Sequence, residues 1–97
     1  MPIMMIMEWD GITSAQYDQV RSLVRWEEDK PKGGLFHVAA ATPKGIRVTD
    51  VWDSAEEFNQ FVESRLMPGV QKAGIQSQPR VEIFPAHAVF APGYKKL

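Results

Sequence analysis

Titratable side chains that interrupt apolar segments are the first candidates for chemistry in this chain: His37, Arg47, Asp50 and His87. A histidine titrates near neutral pH and can act as a general base. A carboxylate covered by apolar side chains must pair with a donor or give up its charge, and such groups are common at functional sites. The sequence therefore suggests two catalytic residues, Asp50 as the first candidate base and His37 as the second.

Each candidate also has a structural interpretation. Asp50 could bond a backbone N–H at a strand end or pair with Arg25 or Arg65. His37, which is followed closely by alanines, could be a core or interface residue. Two histidines on different strands without a carboxylate cluster do not make a metal site, and no glycine-rich phosphate loop is present. We therefore expect neither a metal nor an organic cofactor.

Composition limits the class of protein. The chain has 97 residues, enough for a single domain over residues 1–97, and 44% of them are hydrophobic. Eleven basic and 12 acidic residues give a net charge of -1, which argues against a nucleic-acid partner. Cysteine is absent, so thiolate chemistry is excluded. The apolar N-terminus spans only seven residues, too few for a signal peptide or a membrane span, and we expect a cytoplasmic protein.

Apolar periodicity and capping signals predict the elements that carry these residues. Thr13 with Gln16 forms a capping-box pattern at the start of a helix over residues 14–28. Ser54 caps a second helix that ends near residues 67–69, followed by a short helical turn. Pro85 interrupts the last strand or moves it to a sheet edge. The strands are predicted over residues 3–9, 35–42, 46–52 and 80–90, and residues 91–97 form a tail.

The element order is βαββαβ, which predicts an α+β ferredoxin-like fold: an antiparallel sheet with helices on one face. The first strand is apolar on both faces, with Met5 and Met7 on one and Met4 and Ile6 on the other. A sheet face in contact with water should be polar at every second position. We therefore expect a second copy of the chain to cover the open face, so that two sheets form an α/β barrel.

The register of the hairpin between strands two and three decides which polar residues meet. A three-residue loop over residues 43–45 pairs Thr42 with Ile46 and places Asp50 on the face opposite His37. A slip of one residue would instead place His37 beside Asp50. The turn residues favour the first register, in which Asp50 shares the helix-covered face with Phe36, Val38 and Ala40.

The segment "VWDSAEEFNQF", residues 51–61, and the element order resemble the dimeric α/β-barrel superfamily, in particular its antibiotic-biosynthesis-monooxygenase-like branch. The resemblance covers nearly the whole chain. It implies a homodimer and, in some members, cofactor-independent oxygenation: a base removes a phenolic or enolic proton and O2 reacts with the resulting carbanion. The Trp52–Ser54 corner itself has a sufficient structural explanation, because Trp52 completes a strand and Ser54 caps a helix.

Heme-degrading members of that superfamily have a similar Trp-x-Ser segment. They carry a second Trp nine residues after the first, a His nineteen residues after it, and an Asn on strand one. The corresponding positions here hold Phe61 and Gln71, and strand one contains no Asn. Heme degradation is therefore disfavoured.

We accordingly expect a small homodimeric protein with a mostly apolar pocket that acts on a hydrophobic or aromatic small molecule as a monooxygenase-like enzyme. The alternatives are a non-catalytic ligand-binding or structural dimer, and, less favoured, a subunit that docks into an assembly through residues 91–97. The residues expected to line the pocket are Trp52, Tyr17, Phe36, Phe58 and His87.

Overall fold

A computed structural model describes residues 1–94 of the chain. Its sheet is four-stranded and antiparallel, in the order β2-β3-β1-β4. The strands are β1 (Ile3–Asp10), β2 (Gly34–Thr42), β3 (Gly45–Trp52) and β4 (Arg80–Pro85). The helical elements are α1 (Ser14–Val24), α2 (Ala55–Phe61), a π-helical segment (Val62–Leu66) and α3 (Met67–Lys72). The predicted ferredoxin-like fold is confirmed. Of the predicted tail, residues 95–97 lie outside the described residues.

Helix α1 begins as predicted but ends early. The Thr13 hydroxyl accepts a bond from the Gln16 backbone N–H at 3.1 Å, and the Gln16 side chain accepts one from the Thr13 N–H at 2.9 Å. The helix stops at Val24 rather than at residue 28, because Arg25 adopts a left-handed conformation with φ 60°. The Arg65 guanidinium donates to the carbonyls of Val24 and Asp29, at 3.0 and 2.8 Å, and so satisfies the end of the helix.

The second helical region is longer than predicted. The Ser54 hydroxyl accepts a bond from the Glu57 N–H at 3.2 Å, as expected of a cap. The region does not end near residues 67–69 but continues through the π-helical segment into α3, which ends at Lys72. In a regular α-helix the Pro68 ring would clash with the carbonyl of Ser64. The widened π turn directly before Pro68 accommodates the ring and lets the helix continue.

The two faces of the sheet differ in what covers them. The helix-covered face carries Met5, Met7, Trp9, His37, Ala39, Ile46, Val48, Asp50, Trp52 and Ile83. Most of these side chains are buried against core residues of the helices, including Val20, Phe58 and Val70. The open face carries Met4, Ile6, Glu8, Asp10, Phe36, Val38, Ala40, Arg47, Thr49, Val51, Arg80, Glu82 and Phe84.

The predicted hairpin register is wrong by one residue. The loop holds only Pro43 and Lys44, Thr42 pairs with Gly45, and His37 pairs with Asp50. Gly45 belongs to β3, where β1 approaches it so closely that a Cβ would lie 2.1 Å from the Trp9 carbonyl oxygen. The glycine is therefore needed for strand contact and not for a bulge in the turn.

This register changes the faces assigned to several residues. Phe36, Val38 and Ala40 lie on the open face and not beside Asp50. A bulge between Gly34 and Phe36 further shifts the start of β2.

Strand β4 lies at a sheet edge, as Pro85 predicted. The strand ends at Pro85 rather than at residue 90. The chain then continues without regular structure, and the Ala86 N–H donates to the Pro2 carbonyl at 2.9 Å. No helix within residues 1–94 is long and apolar enough to cross a membrane.

Candidate active site

His37 and Asp50 form a bonded pair on the helix-covered face. The His37 Nδ1 and Asp50 Oδ1 atoms are 2.6 Å apart. The second carboxylate oxygen, Oδ2, accepts a bond from the Trp52 indole N–H at 3.0 Å. The Asp50 side chain is only 8% exposed, whereas the His37 side chain is 34% exposed. The buried carboxylate therefore has both oxygens engaged by donors, and the histidine is the more accessible member of the pair.

The pairing determines which nitrogen of His37 carries the proton. A carboxylate only accepts hydrogen bonds, so Nδ1 donates to Asp50. In the neutral ring this leaves Nε2 with a lone pair. The Tyr17 hydroxyl lies 2.7 Å from Nε2 and donates to it. The result is a hydrogen-bonded chain from Tyr17 through His37 and Asp50 to Trp52, which we call the Tyr17–Trp52 relay.

Tyr17 is held in a largely apolar setting. Burial raises the pKa of its phenol to about 12, and the nearby negative charge of Asp50 acts in the same direction. The Trp26 ring packs against both Tyr17 and His37, with ring centroids 5.8 and 5.4 Å apart. At neutral pH the phenol is therefore a protonated hydrogen-bond donor in a fixed position beside the histidine.

A cavity of about 230 Å³ lies between the sheet and the helices. The relay forms part of its wall, and the remaining wall is mostly apolar, including Met5, Met7, Val48, Phe61 and Leu66. Trp52, Tyr17 and Phe58, which were expected to line a pocket, are present there. Phe36, also expected, lies on the open face but borders the cavity at the bulged start of β2. Lys30 and Leu35 also contribute and are exposed, which puts the opening of the cavity near residues 30–36.

The remaining candidates lie elsewhere. His87 follows β4, is exposed and does not line the cavity. Arg47 lies on the open face, 3.8 Å from Glu8. Trp26 was missed because the predicted helix ran to residue 28 and treated it as one more helical position. Trp26 directly follows Arg25, the left-handed residue that ends α1. Only when that helix end is known does its position indicate a ring in the cavity wall.

Acidic and histidine side chains are the usual ligands of a metal ion in a chain without cysteine. Within residues 1–94, no group of three or more of them could hold a metal ion. Among the same residues, every buried side-chain nitrogen and oxygen has a hydrogen-bond partner.

Comparison of the sequence with protein-family models and with curated proteins gives no match. Solved structures do match the fold. SnoaB from Streptomyces nogalater, a cofactor-independent oxygenase, aligns with a TM-score of 0.65 and 13% identity over 91% of this chain and 95% of its own. The monooxygenase from the ActVA-Orf6 gene of Streptomyces coelicolor, in complex with nanaomycin D, aligns with a TM-score of 0.60 and 13% identity over 95% of this chain and 92% of its own.

A dimeric ferredoxin-like protein of unknown function from Thermobifida fusca aligns with a TM-score of 0.55 and 18% identity over 89% of this chain and 92% of its own. At these identities the likeness concerns the fold and leaves activity open. The chain thus has the ferredoxin-like fold of the antibiotic-biosynthesis-monooxygenase-like structures.

Proposed function

We propose that the protein is a homodimeric, cofactor-independent monooxygenase that binds a hydrophobic aromatic molecule in its cavity. The observation that carries the proposal is the His37–Asp50 pair, with a 2.6 Å bond, in the wall of an otherwise apolar cavity. The fold shared with SnoaB, a cofactor-independent oxygenase, supports this class of reaction.

His37 is the base in this proposal, and Asp50 positions it. Asp50 is buried, and both its oxygens accept bonds, from His37 and Trp52. His37 is the more exposed of the two, and the Tyr17 hydroxyl that donates to its Nε2 can turn to a bound substrate and free the lone pair. The ionised carboxylate also stabilises the imidazolium that forms when Nε2 gains a proton, as in other His–Asp pairs. The order of the two candidate bases expected from the sequence is therefore reversed: His37 transfers the proton, and Asp50 orients it.

The substrate class follows from the chemistry of the base. A cyclic phenol whose keto tautomer carries a methylene group loses a proton to Nε2 and becomes a stabilised carbanion. O2 adds to that carbon, and the resulting peroxide anion takes the proton back from Nε2 to give a hydroperoxide, which loses water to leave a carbonyl group. One oxygen atom remains on the carbon and the other leaves as water. The methylene carbon supplies all four electrons, so no other reductant is required.

The cavity limits the size of the substrate. Pockets for drug-sized ligands typically measure about 300–1,000 Å³. At about 230 Å³, this cavity suits a small aromatic of few rings, part of which remains at the opening near Lys30 and Leu35. Its apolar wall would exclude water from the carbanion.

Oxygen uptake by the purified protein tests the proposal. Small phenols and anthrone are first screened by thermal shift, since a ligand at 100 times its Kd adds about 2.7 kcal/mol of stability. With a compound that binds, we expect His37→Asn to lower the rate of uptake by about 10²–10⁴-fold, the usual contribution of a general base.

The exposed His87 provides the matched control, because His87→Asn makes the same chemical change outside the cavity. Equal rates for wild type and a folded His37→Asn variant would refute His37 as the base. A ligand that binds without oxygen uptake would instead favour the non-catalytic alternative. The fully bonded relay is also compatible with that alternative, because a purely structural cluster must satisfy the same polar atoms.

We expect the homodimer to form through the open face of the sheet. Several of its side chains are large, apolar and at least partly exposed, among them Val38 at 48% and Phe84 at 44%. A second copy would cover them, as the dimeric state of the Thermobifida fusca protein supports. Light scattering should give a dimer mass for wild type and a monomer mass for Val38→Lys. Leu23→Lys alters a similarly exposed side chain, 43%, on α1 and should leave the dimer intact.

A further inference from the structure

A hydrogen-bond acceptor and a hydroxyl donor meet at one point of the cavity wall. His37 Nε2 and the Tyr17 oxygen are 2.7 Å apart, and the planes of the two rings are nearly parallel, at 5°, with centroids 6.1 Å apart. The base proposed above requires only His37. Tyr17 reaches the same point from α1, a different element, and both rings line the cavity.

Other contacts keep the two groups in this arrangement. Trp26 packs on both rings, and Asp50 fixes His37 through Nδ1. Arg21, the cation that most strongly influences the Tyr17 hydroxyl, is paired with Glu27. The phenol is therefore a neutral donor at rest, and it becomes a stronger acid only when its neighbour His37 gains a positive charge.

We propose that this pair gives the protein a second activity that needs no O2: keto–enol tautomerisation of cyclic aromatic ketones, with His37 and Tyr17 as the two proton-transfer residues. The proposal shares the ligand class of the proposed monooxygenation but does not depend on it. Proton removal is common to both reactions, whereas Tyr17 is required only where a proton must be delivered to oxygen.

His37 and Tyr17 together account for every proton that is transferred. When the ketone binds, the Tyr17 O–H turns from Nε2 to the carbonyl oxygen, which frees the Nε2 lone pair. Nε2 then takes a proton from the carbon next to the ketone while the C=O bond becomes C–O. The Tyr17 phenol gives its own proton to that oxygen, which completes the enol. The imidazolium then returns a proton across the 2.7 Å contact to the Tyr17 oxygen. One C–H bond is broken, one O–H bond is formed, and both residues regain their starting states without oxidation or reduction.

Hydrogen–deuterium exchange of 2-tetralone in oxygen-free D2O measures this reaction directly. Binding is first established by quenching of tryptophan fluorescence, since Trp9, Trp26 and Trp52 all line the cavity. Proton NMR then follows the loss of the signal from the methylene between the ring and the carbonyl. We expect the wild-type protein to exceed the buffer rate clearly and His37→Asn to match the buffer.

The tyrosine variants isolate the role of the phenol. We expect Tyr17→Phe to lower the protein-dependent exchange rate by about 10²-fold or more, the scale of acid–base catalysis. Tyr94→Phe is the matched control, because Tyr94 is 55% exposed and does not line the cavity. A folded Tyr17→Phe variant with the wild-type exchange rate would refute Tyr17 as a proton-transfer residue. Should Tyr17→Phe not fold, the wild-type rate decides, and a rate equal to buffer overturns the proposal.

The two proposed activities can fail independently. Exchange without oxygen uptake in air supports the tautomerase and refutes the monooxygenase. Oxygen uptake together with an exchange rate that Tyr17→Phe leaves unchanged refutes the tautomerase and leaves the monooxygenase standing. If 2-tetralone does not bind, cyclic aromatic ketones are not the substrate class and the tautomerase proposal is overturned.

Discussion

The two faces of one sheet handle charge in opposite ways. On the helix-covered face, the Asp50 side chain is 8% exposed and both its oxygens accept hydrogen bonds. On the open face, Glu8 and Asp10 meet Arg80 at 2.9 and 3.0 Å, with side chains 36–60% exposed. The distances are similar, but the surrounding solvent differs. A bond of a given length is worth far more where water cannot replace the partner.

Removing one carboxylate from each face, Asp50 in one variant and Glu8 in another, should give the largest difference in stability. Asp50→Ala leaves the Trp52 indole N–H and the His37 Nδ1–H without their acceptor. We expect a loss of about 2–3 kcal/mol in the free energy of unfolding, because unmet buried donors are costly. Glu8→Ala removes an acceptor beside water and should cost less than about 1 kcal/mol. Urea unfolding at pH 7 measures both, and equal losses would contradict the contrast.

Two tryptophans of the helix-covered face donate to acceptors that differ in charge and burial. The Trp52 N–H bonds to the buried Asp50 carboxylate, and the Trp9 N–H bonds to the exposed Ser77 hydroxyl, both at 3.0 Å. Substitution by Phe removes the same atoms in each case. Because bonds to charged groups contribute more than neutral ones, we expect Trp52→Phe to cost about 1 kcal/mol more than Trp9→Phe. Denaturant curves for the two variants would refute this if the order were reversed.

The Tyr17 phenol should produce an effect that is confined to alkaline pH. Its pKa is raised to about 12, above the value of about 10 for a free tyrosine. Between those values the unfolded chain loses the proton and the folded chain keeps it. The stabilisation is therefore complete below pH 10 and is lost as the pH rises toward 12.

This pH dependence is measured as a difference between variants, so that contributions from other groups cancel. The free energy of unfolding should fall less steeply between pH 10 and 12 in Tyr17→Phe than in wild type. Tyr94→Phe removes a hydroxyl outside the cavity wall and should keep the wild-type slope. Identical slopes for all three proteins would mean that Tyr17 is not buried in solution.

The elements of the fold were predictable because their signals are local. Capping by Thr13 and Ser54 depends on residues three positions away, and strand alternation depends on the next residue. The end of α1 was not predictable, because Arg65 binds its last carbonyl from 41 positions along the chain. The length of the second helical region depended on a π turn that the sequence pattern did not reveal.

The site was predictable by residue type but not by arrangement. Tyr17, His37, Asp50 and Trp52 were all candidates, yet the favoured register separated His37 from Asp50. Residues 43–45 are compatible with either loop length, and the choice depends on β1, which requires Gly45 at its closest approach. A distant strand therefore determines whether the histidine and the carboxylate share a face.

Substitution of Arg80, on the open face, should have the smallest effect on stability. Its bond holds the pKa of the Asp10 carboxyl below its ordinary value, so that contribution is present at neutral pH and is lost as the pH falls through the lowered value. Because solvent surrounds the pair, Arg80→Met should lower stability only slightly, and the difference should vanish at about 1 M NaCl, where screening is strong. Unfolding of the variant and the wild type at low and high salt measures this.

A different result for Arg80 would itself be informative about the open face. A loss that persists at high salt cannot come from an ion pair in water. It would mean that Arg80, Glu8 and Asp10 are shielded, and the second copy proposed to cover Val38 would then extend over this end of the sheet as well. Repeating the measurement in Val38→Lys distinguishes the two cases, because in a monomer the Arg80 contribution should become sensitive to salt again.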